Sequence, residues 1–479
     1  MSMSSMTSLS FFGLVGITFF LNYIFFKIIK NDKAAVFASN IVLLVASYLF
    51  IIYVDWRFAV VLLALTLITW LCAKSMKLIP LGIILSLCAL AVFKYTNFFM
   101  ESFAKLIGND FNALNIILPL GISFYTFSAI SYLIDVKREK VEAQGLLNVA
   151  LYLSFFPKLT SGPLQRSSDF IKQATSRREI GVKSFSPGIQ IFVFGLFKKI
   201  VLADRLSVFV NQVFATPNAF GSFTLFLGAI AYALQIYLDF SGYSDMAIGV
   251  AKILGFDLPR NFNIPYIAHN VTELWKRWHM TLSSWLMDYL YIPLGGSRKG
   301  KARTYINLIL TMVIGGIWHG ANWTYIIWGL LHGVALAVHK IWMTITNSRE
   351  KKPHMVGTVI SIVSTFLFTI FCWIFFRSDS ISAAWNYICG MFSFRSGLEQ
   401  PYLWLFVDIA LVVGCTIVAA VKSKKDHPVR KYKNTSYING FYPILDLSKF
   451  WSLVVFFVFI GLILCLAYTG GSPFIYGNY

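Results

Sequence analysis

A dozen apolar segments, most of them close to the length that crosses a bilayer, constrain this chain more than any other feature. A membrane-spanning helix needs roughly 20 apolar residues. Segments of that kind run at 9–26, 35–54, 58–72, 78–93, 116–134, 185–209, 223–250, 305–317, 323–338, 356–376, 402–421 and 451–468. Hydrophobic residues make up 57% of the 479 and charged residues only 13%, which excludes a soluble globular protein. Several segments are too short or too interrupted to be simple spans. The expectation is an all-α, polytopic integral membrane protein with roughly 10–12 transmembrane helices and further re-entrant or interfacial pieces.

Charge placement sets the topology. No Lys or Arg precedes the first apolar run and no small-residue cleavage site follows it, so it reads as a span and not as a cleaved signal peptide. Lys27, Lys30 and Lys33 come after it, which puts the N-terminus outside. The basic clusters at 137–140, 172–183, 298–303, 349–352 and 422–433 then fall on the cytoplasmic side, and the tail 470–479 lies outside. Topology and attraction to anionic membrane lipid account for the net charge of +20. No soluble basic domain exists to bind nucleic acid. The six cysteines, at 72, 88, 372, 389, 415 and 465, form no CxxC pair and read as small buried hydrophobes.

There is no linker, low-complexity tract or internal repeat, so the expectation is one integral domain over 1–479. Residues 1–110 read as plain peripheral helices and 356–479 as plain C-terminal ones. Between them, at 118–340, the apolar runs are interrupted by Pro, Gly and polar residues, as at Leu118-Pro119-Leu120-Gly121 and Ser161-Gly162-Pro163. Pro breaks helices and Gly permits turns, so the chemistry belongs in this middle part.

Within it, Gly315-Gly316-Ile317-Trp318-His319-Gly320-Ala321-Asn322 places an imidazole inside sequence that otherwise reads as membrane helix. Ionisable groups at membrane depth are costly and mark function. Gly315, Gly316 and Gly320 are expected to weaken the helix, and Asn322 to cap a new one. His332 lies in that next helix, four residues after Trp328, as a supporting hydrogen-bonding group. His354 and His427 lie in basic loops, and His339 beside Lys340 at a helix end.

His279 falls in 272–292, which reads as one amphipathic helix. At 100° per residue, Trp275, Trp278, Leu282, Trp285, Leu286 and Tyr289 share an arc, edged by a stripe of Thr272, Lys276, His279 and Ser283. Such a helix lies flat at the cytoplasmic interface with its tryptophans in lipid. Alternatively, the stripe walls a cytoplasmic entrance, where Lys276 and Arg277 suit the phosphates of an incoming cofactor. Asp239, Ser241 and Asp245 make a second polar island, and these buried carboxylates need partners: a histidine, a cation, or a Lys or Arg. Metal is a poor reading, since no HExxH or Cys/His cluster occurs, and there is no G-x-S-x-G elbow or P-loop.

These stretches together resemble the membrane-bound O-acyltransferase family, and within it the bacterial branch that contains the membrane subunit of alginate O-acetyltransferase. The likeness is carried by Leu118-Pro119-Leu120-Gly121-Ile122-Ser123-Phe124-Tyr125, Phe155-Phe156-Pro157-Lys158-Leu159-Thr160-Ser161-Gly162-Pro163, Asp239-Phe240-Ser241-Gly242-Tyr243-Ser244-Asp245, Trp275-Lys276-Arg277-Trp278-His279, Tyr289-Leu290-Tyr291-Ile292-Pro293 and Gly315-Gly316-Ile317-Trp318-His319-Gly320. It is dense from about residue 118 to 339 and looser towards both ends. Pro473-Phe474-Ile475-Tyr476 fits too, although Gly477-Asn478-Tyr479 departs from the aromatic ending of that branch.

The resemblance implies a membrane tunnel with His319 as the catalytic histidine and His279 assisting it. Trp318, Asn322, His332, Asp239 and Asp245 would support them. It implies an acetyl donor on the cytoplasmic side, acetyl-CoA, and no metal. It also implies a polysaccharide acceptor outside, a separate extracytoplasmic acetyltransferase as partner, and a multi-pass position in the bacterial plasma membrane. Three other readings stay open: D-alanyl transfer to teichoic acid from a carrier protein, a proton-coupled transporter using His279, His319, Asp239 and Asp245 as a relay, and a scaffold for a secretion complex. Tyr476 and Tyr479 carry hydroxyls on the outer side but read as ordinary interfacial tyrosines.

Overall fold

The computed structural model describes residues 6–346, 355–398, 402–423, 444–468 and 470. His354, His427, Tyr476 and Tyr479 lie outside the described residues. The described chain is all-helical, with a single isolated bridge between Phe220 and Leu398 in place of any strand. Backbone groups in a bilayer must be satisfied within the segment, and helices do this residue by residue.

Eight helices among the described residues are long and apolar enough to cross a membrane: Leu9–Ile28, Asp32–Val54, Trp56–Ala73, Ile79–Leu106, Val182–Ala215, Ser222–Ile253, Trp323–Ile345 and Met355–Arg377. Leu403–Gly414 and Phe450–Leu466 are shorter apolar helices. The eight are fewer than the sequence count because several apolar runs form short or mixed helices. The run at 116–134 begins as loop and becomes helix only at Ile122–Lys137, where Gly121 adopts a φ of 76° under the Leu159 carbonyl. The helix that carries the Trp-His-Gly motif, Lys301–His319, opens on a basic first turn.

The chain divides into two compact units, each drawn from separated stretches. The first comprises Met1–Leu196, Tyr243–Pro259 and Ile444–Phe456. Its first helices bury only one face: Phe11, Val15, Thr18, Asn22 and Phe26 recur on a helical period, while Ile17 and Phe20 are exposed. Exposed apolar side chains on a spanning helix are what lipid contact requires. Inside, Phe11 packs edge-on against Phe50 and Phe156, with centroids 6.0 and 5.9 Å away. Phe155, Phe170 and Phe256 form a second aromatic cluster. Lys158 is buried there with its ammonium 3.9 Å from the centre of the Tyr152 ring. Asp245 belongs to this unit and is buried in it.

The second unit comprises Phe197–Gly242, Arg260–Pro443 and Phe457–Tyr479, and it holds both motif histidines. Its centre is the antiparallel pair Lys301–His319 and Trp323–Ile345. Contrary to the sequence expectation, Gly315 and Gly316 do not interrupt a helix; the first helix runs unbroken to His319, and the chain turns at 320–322. These glycines serve contact instead. A Cβ on Gly316 would stand 2.2 Å from the Tyr325 carbonyl oxygen, and one on Gly329 would stand 2.4 Å from that of Met312. Gly329 and Gly333 are spaced four apart on the second helix, the small-xxx-small pattern that lets membrane helices approach backbone to backbone, and a Cβ on Gly333 would stand 2.7 Å from the Ile309 Cα. Asn322 caps the second helix as expected, its Oδ1 accepting from the Thr324 N–H at 3.0 Å.

Candidate active site

The expected single helix over 272–292 is broken at the residue that matters most. Val271–Arg277 ends at Trp278, His279 adopts the left-handed conformation (φ 41°, ψ 53°), and Met280–Leu286 then begins before a π-helical turn, Met287–Tyr291. A left-handed residue without glycine costs energy and persists only where its surroundings hold it. Here residues 261–263 lie alongside the break. The Met280 N–H donates to the Asn261 carbonyl at 2.8 Å, and the Asn263 N–H donates to the Arg277 carbonyl at 2.9 Å.

The tryptophans of the amphipathic arc do not face lipid. Trp275, Trp278, Leu282, Trp285, Leu286 and Tyr289 are all buried within the protein. Periodicity reports that an arc is apolar but not whether protein or lipid covers it, which is why the interfacial reading fails. Trp278 packs on Phe262 and Trp373, with centroids 5.0 and 4.9 Å away.

The break delivers His279 to His319. Their ring centroids are 6.3 Å apart, and the two residues are 0% and 2% exposed. Phe240 meets the His279 ring edge-on at 4.7 Å. Trp328 and Phe376 meet the His319 ring at 5.1 and 5.4 Å, and Trp318 lies 5.0 Å from it. Two imidazoles thus share an enclosure of aromatic rings from which bulk water is excluded.

Asn261 fixes the state of His279. Its Oδ1 accepts from the Thr281 hydroxyl at 2.6 Å and lies 3.4 Å from the Thr281 backbone N–H. A backbone N–H only donates, so the atom it faces is the amide oxygen. His279 Nδ1, 3.1 Å from the same oxygen, must therefore carry the proton. The remaining ring nitrogen, Nε2, keeps its lone pair for use as an acceptor or base. Burial pushes the imidazole pKa down to about 3, so the ring is neutral at physiological pH. Asn261 was not singled out from sequence; an asparagine directly after Pro259-Arg260 reads as ordinary loop chemistry.

An Asn261→Asp variant places a carboxylate where the amide oxygen stands. It favours the imidazolium and raises the His279 pKa, so more of the enzyme is protonated at any acidic pH. Activity of the variant should decline at higher pH than wild type on the acid side, and recover towards wild type as pH rises. Asn261→Ala, which lacks the acceptor, should lose about tenfold or more at every pH. A kcat profile superimposing on wild type for both variants would remove Asn261 from this role.

The supporting residues divide. His332 is buried beside the pair: its Nδ1 accepts from the Trp275 indole N–H at 3.3 Å, and its ring lies 5.0 Å from Trp328. Asp239 belongs to a buried ion-pair cluster. It pairs with Lys199, whose Nζ is 2.6 Å from it and 2.8 Å from Asp204, all three being buried. Lys199 sits on a π-helical turn, Phe197–Ala203, and a lysine and an aspartate within an apolar run were a sequence signal left unread. Lys276 is exposed. Arg277 is committed to Glu273, with its Nη2 2.8 Å from the carboxylate, and to the Asn263 carbonyl at 3.1 Å. Burial raises the Glu273 pKa, but the His269 backbone N–H and the Arg277 guanidinium outweigh it and hold the carboxyl below its ordinary value.

A cavity of about 320 Å³ lies at the far end of the same helix, lined among others by His269, Asn270, His339 and Ser361. Its wall does not include His279 or His319. From it, two helices run antiparallel towards the histidines. Thr272 Oγ1 contacts His339 Nδ1 at 2.8 Å, and one turn on, Trp275 contacts His332. His339 and His332 are seven residues apart, roughly 10 Å along the helix.

A pair of buried imidazoles in a desolvated enclosure, within a multi-pass membrane protein, is suited to proton transfer during acyl transfer. The chain matches the membrane-bound O-acyltransferase family over residues 50–385 and belongs to it. It is a multi-pass membrane O-acyltransferase. Among similar proteins is the probable alginate O-acetylase AlgI of Pseudomonas putida, 37% identical over 469 residues, which span 91% of this chain and 94% of that protein. The peptidoglycan O-acetyltransferase of Helicobacter pylori is 38% identical over 338 residues, 65% of this chain and 64% of that one. The teichoic acid D-alanyltransferase of Bacillus subtilis is 30% identical over 270 residues, 54% of this chain and 68% of that one.

Proposed function

We propose that this enzyme takes an acetyl group from acetyl-CoA on the cytoplasmic side and delivers it for O-acetylation of a polysaccharide outside, alginate or another envelope glycan. The observation that carries the reading is the juxtaposition of His279 and His319, 6.3 Å apart in an aromatic enclosure. Relatives named O-acetylase or O-acetyltransferase are 37% and 38% identical to this chain over longer matches than the D-alanyltransferase gives. This favours the acetyl reading over D-alanyl transfer. The bacterial sources of these relatives favour the plasma membrane as the location.

His319 serves as the base. A hydroxyl oxygen attacks the thioester carbonyl carbon while its proton passes to an imidazole nitrogen of His319. The carbonyl electron pair moves onto oxygen, then returns to expel the thiolate, which takes the proton from His319. The products are an ester and a free thiol, and neither metal nor ATP enters the balance. His279, with its Nδ1 proton tied to Asn261, offers Nε2 to position the hydroxyl. The donor enters along the helix pair from the end marked by His269 and His339, with Lys276 suited to its phosphates. Because both imidazoles are buried, entry requires side chains to move aside. The ester forms on a hydroxyl of the outward acceptor, and a separate extracytoplasmic acetyltransferase passes the acetyl group on to further polymer hydroxyls, each attack on the ester releasing the hydroxyl that carried it.

The test incubates the purified enzyme with a hydroxyl-bearing glycan and either radiolabelled acetyl-CoA or a D-alanyl carrier-protein thioester. Ester-linked acetyl label is the expected result. Label from the D-alanyl donor alone would replace the acetyl reading with its rival.

A further inference from the structure

The enclosure contains two donors that the protein itself leaves unsatisfied. The indole Nε1–H of Trp328 and the Nε2 of His332 are buried, and neither has a hydrogen-bond partner among the described residues. Both side chains are 1% exposed. A buried donor without a partner is costly, and native proteins keep few of them without a reason.

The state of His332 follows from its neighbour. The Trp275 indole can only donate, and it points at Nδ1 of His332 from 3.3 Å. Nδ1 therefore accepts, and the proton of the neutral ring resides on Nε2. This is the opposite tautomer to His279, whose proton is on the Nδ1 bound to Asn261. One imidazole is set as an acceptor at Nε2, the other as a donor at Nε2.

Trp328 and His332 are four residues apart on Trp323–Ile345 and so share a helix face, with their ring centroids 5.0 Å apart. Trp328 also meets the His319 ring at 5.1 Å and 88°. One unsatisfied N–H donor, Trp328, thus lies against the ring assigned as the base, and the second, His332, lies against Trp328. We propose that Trp328 and His332 bind the carbonyl oxygen of the acyl donor and stabilise the negative charge it gains when the hydroxyl oxygen attacks. This rests on the acyl-transfer chemistry set out above, and it assigns Trp275 as the positioning residue that fixes the His332 tautomer. Donors placed where charge develops, in a site closed to water, act without reorganisation at the moment of reaction.

The experiment uses the full-length protein carrying His319→Ala, so that bound donor is not consumed. Acetyl-CoA isotopically labelled at its thioester carbonyl is added, and the carbonyl stretch is read by infrared difference spectroscopy. The bound band is expected at lower frequency than that of free acetyl-CoA, and adding Trp328→Phe should move it back towards the free value. In the His319 background, Trp328→Phe should lower kcat on the order of 10²-fold with little change in KM for the donor. If Trp328→Phe does not fold, Trp275→Phe, which releases the His332 tautomer, should give the same return of the band. Donor that binds with an unshifted carbonyl overturns this proposal and leaves the acetyl-CoA reading standing. Absence of any acetyl-CoA binding overturns that reading, and this one with it.

Discussion

His319→Ala abolishes measurable acyl transfer, a loss of roughly 10²–10⁴-fold for the removal of a general base, while the protein still inserts and elutes as a homogeneous species. The expectation of an intact fold has a structural basis. His319 is the last residue of its helix, and the helix pair is held by glycine contacts elsewhere along it. Truncation opens space among Trp318, Trp328 and Phe376 without altering the helix pair's glycine contacts. Acyl transfer near the wild-type rate in His319→Ala would mean that the proton goes elsewhere.

The second large effect is on stability. Gly316→Val should prevent accumulation of folded protein, and Gly316→Ala should lower the thermal midpoint. The added Cβ meets the Tyr325 carbonyl oxygen at 2.2 Å and its carbon at 3.1 Å, both backbone atoms of the facing helix. A flexible side chain could step aside; a helix backbone cannot, so the two helices must separate along their length. Overpacking typically costs about 1–3 kcal/mol and more where nothing yields. Gly315→Ala is the internal comparison. Its Cβ meets only the end of the Leu286 side chain, at 3.2 Å, and should be close to neutral. Equal melting of Gly315→Ala and Gly316→Ala in detergent would contradict the packing assigned to this pair.

Much of the helical architecture was legible because membrane helices are written in long apolar runs. The motif at 315–322 was legible for the same reason, since a histidine there contradicts its surroundings. What periodicity could not show was the break at His279. Side-chain arcs on 272–292 are consistent with one helix, and the interruption comes from residues 261–263, which capture the backbone from outside that segment. Asn261 was invisible for the same cause: its role depends on where a loop lies, not on its neighbours in sequence. The glycines were recognised as significant, but their purpose was misread, because a sequence shows what glycine permits and not what approaches it. Asp239 was flagged as needing a partner, and only the fold selects Lys199 from the candidates.

The most direct measurement places the enzyme in sealed liposomes with radiolabelled acetyl-CoA inside and a hydroxyl-bearing glycan outside. If a neutral, sheltered imidazole at position 319 relays the proton of an attacking alcohol, ester-linked label accumulates outside with wild-type protein and not with His319→Ala. Label arriving outside at equal rates with both proteins, or crossing only as free acetate, would contradict the account.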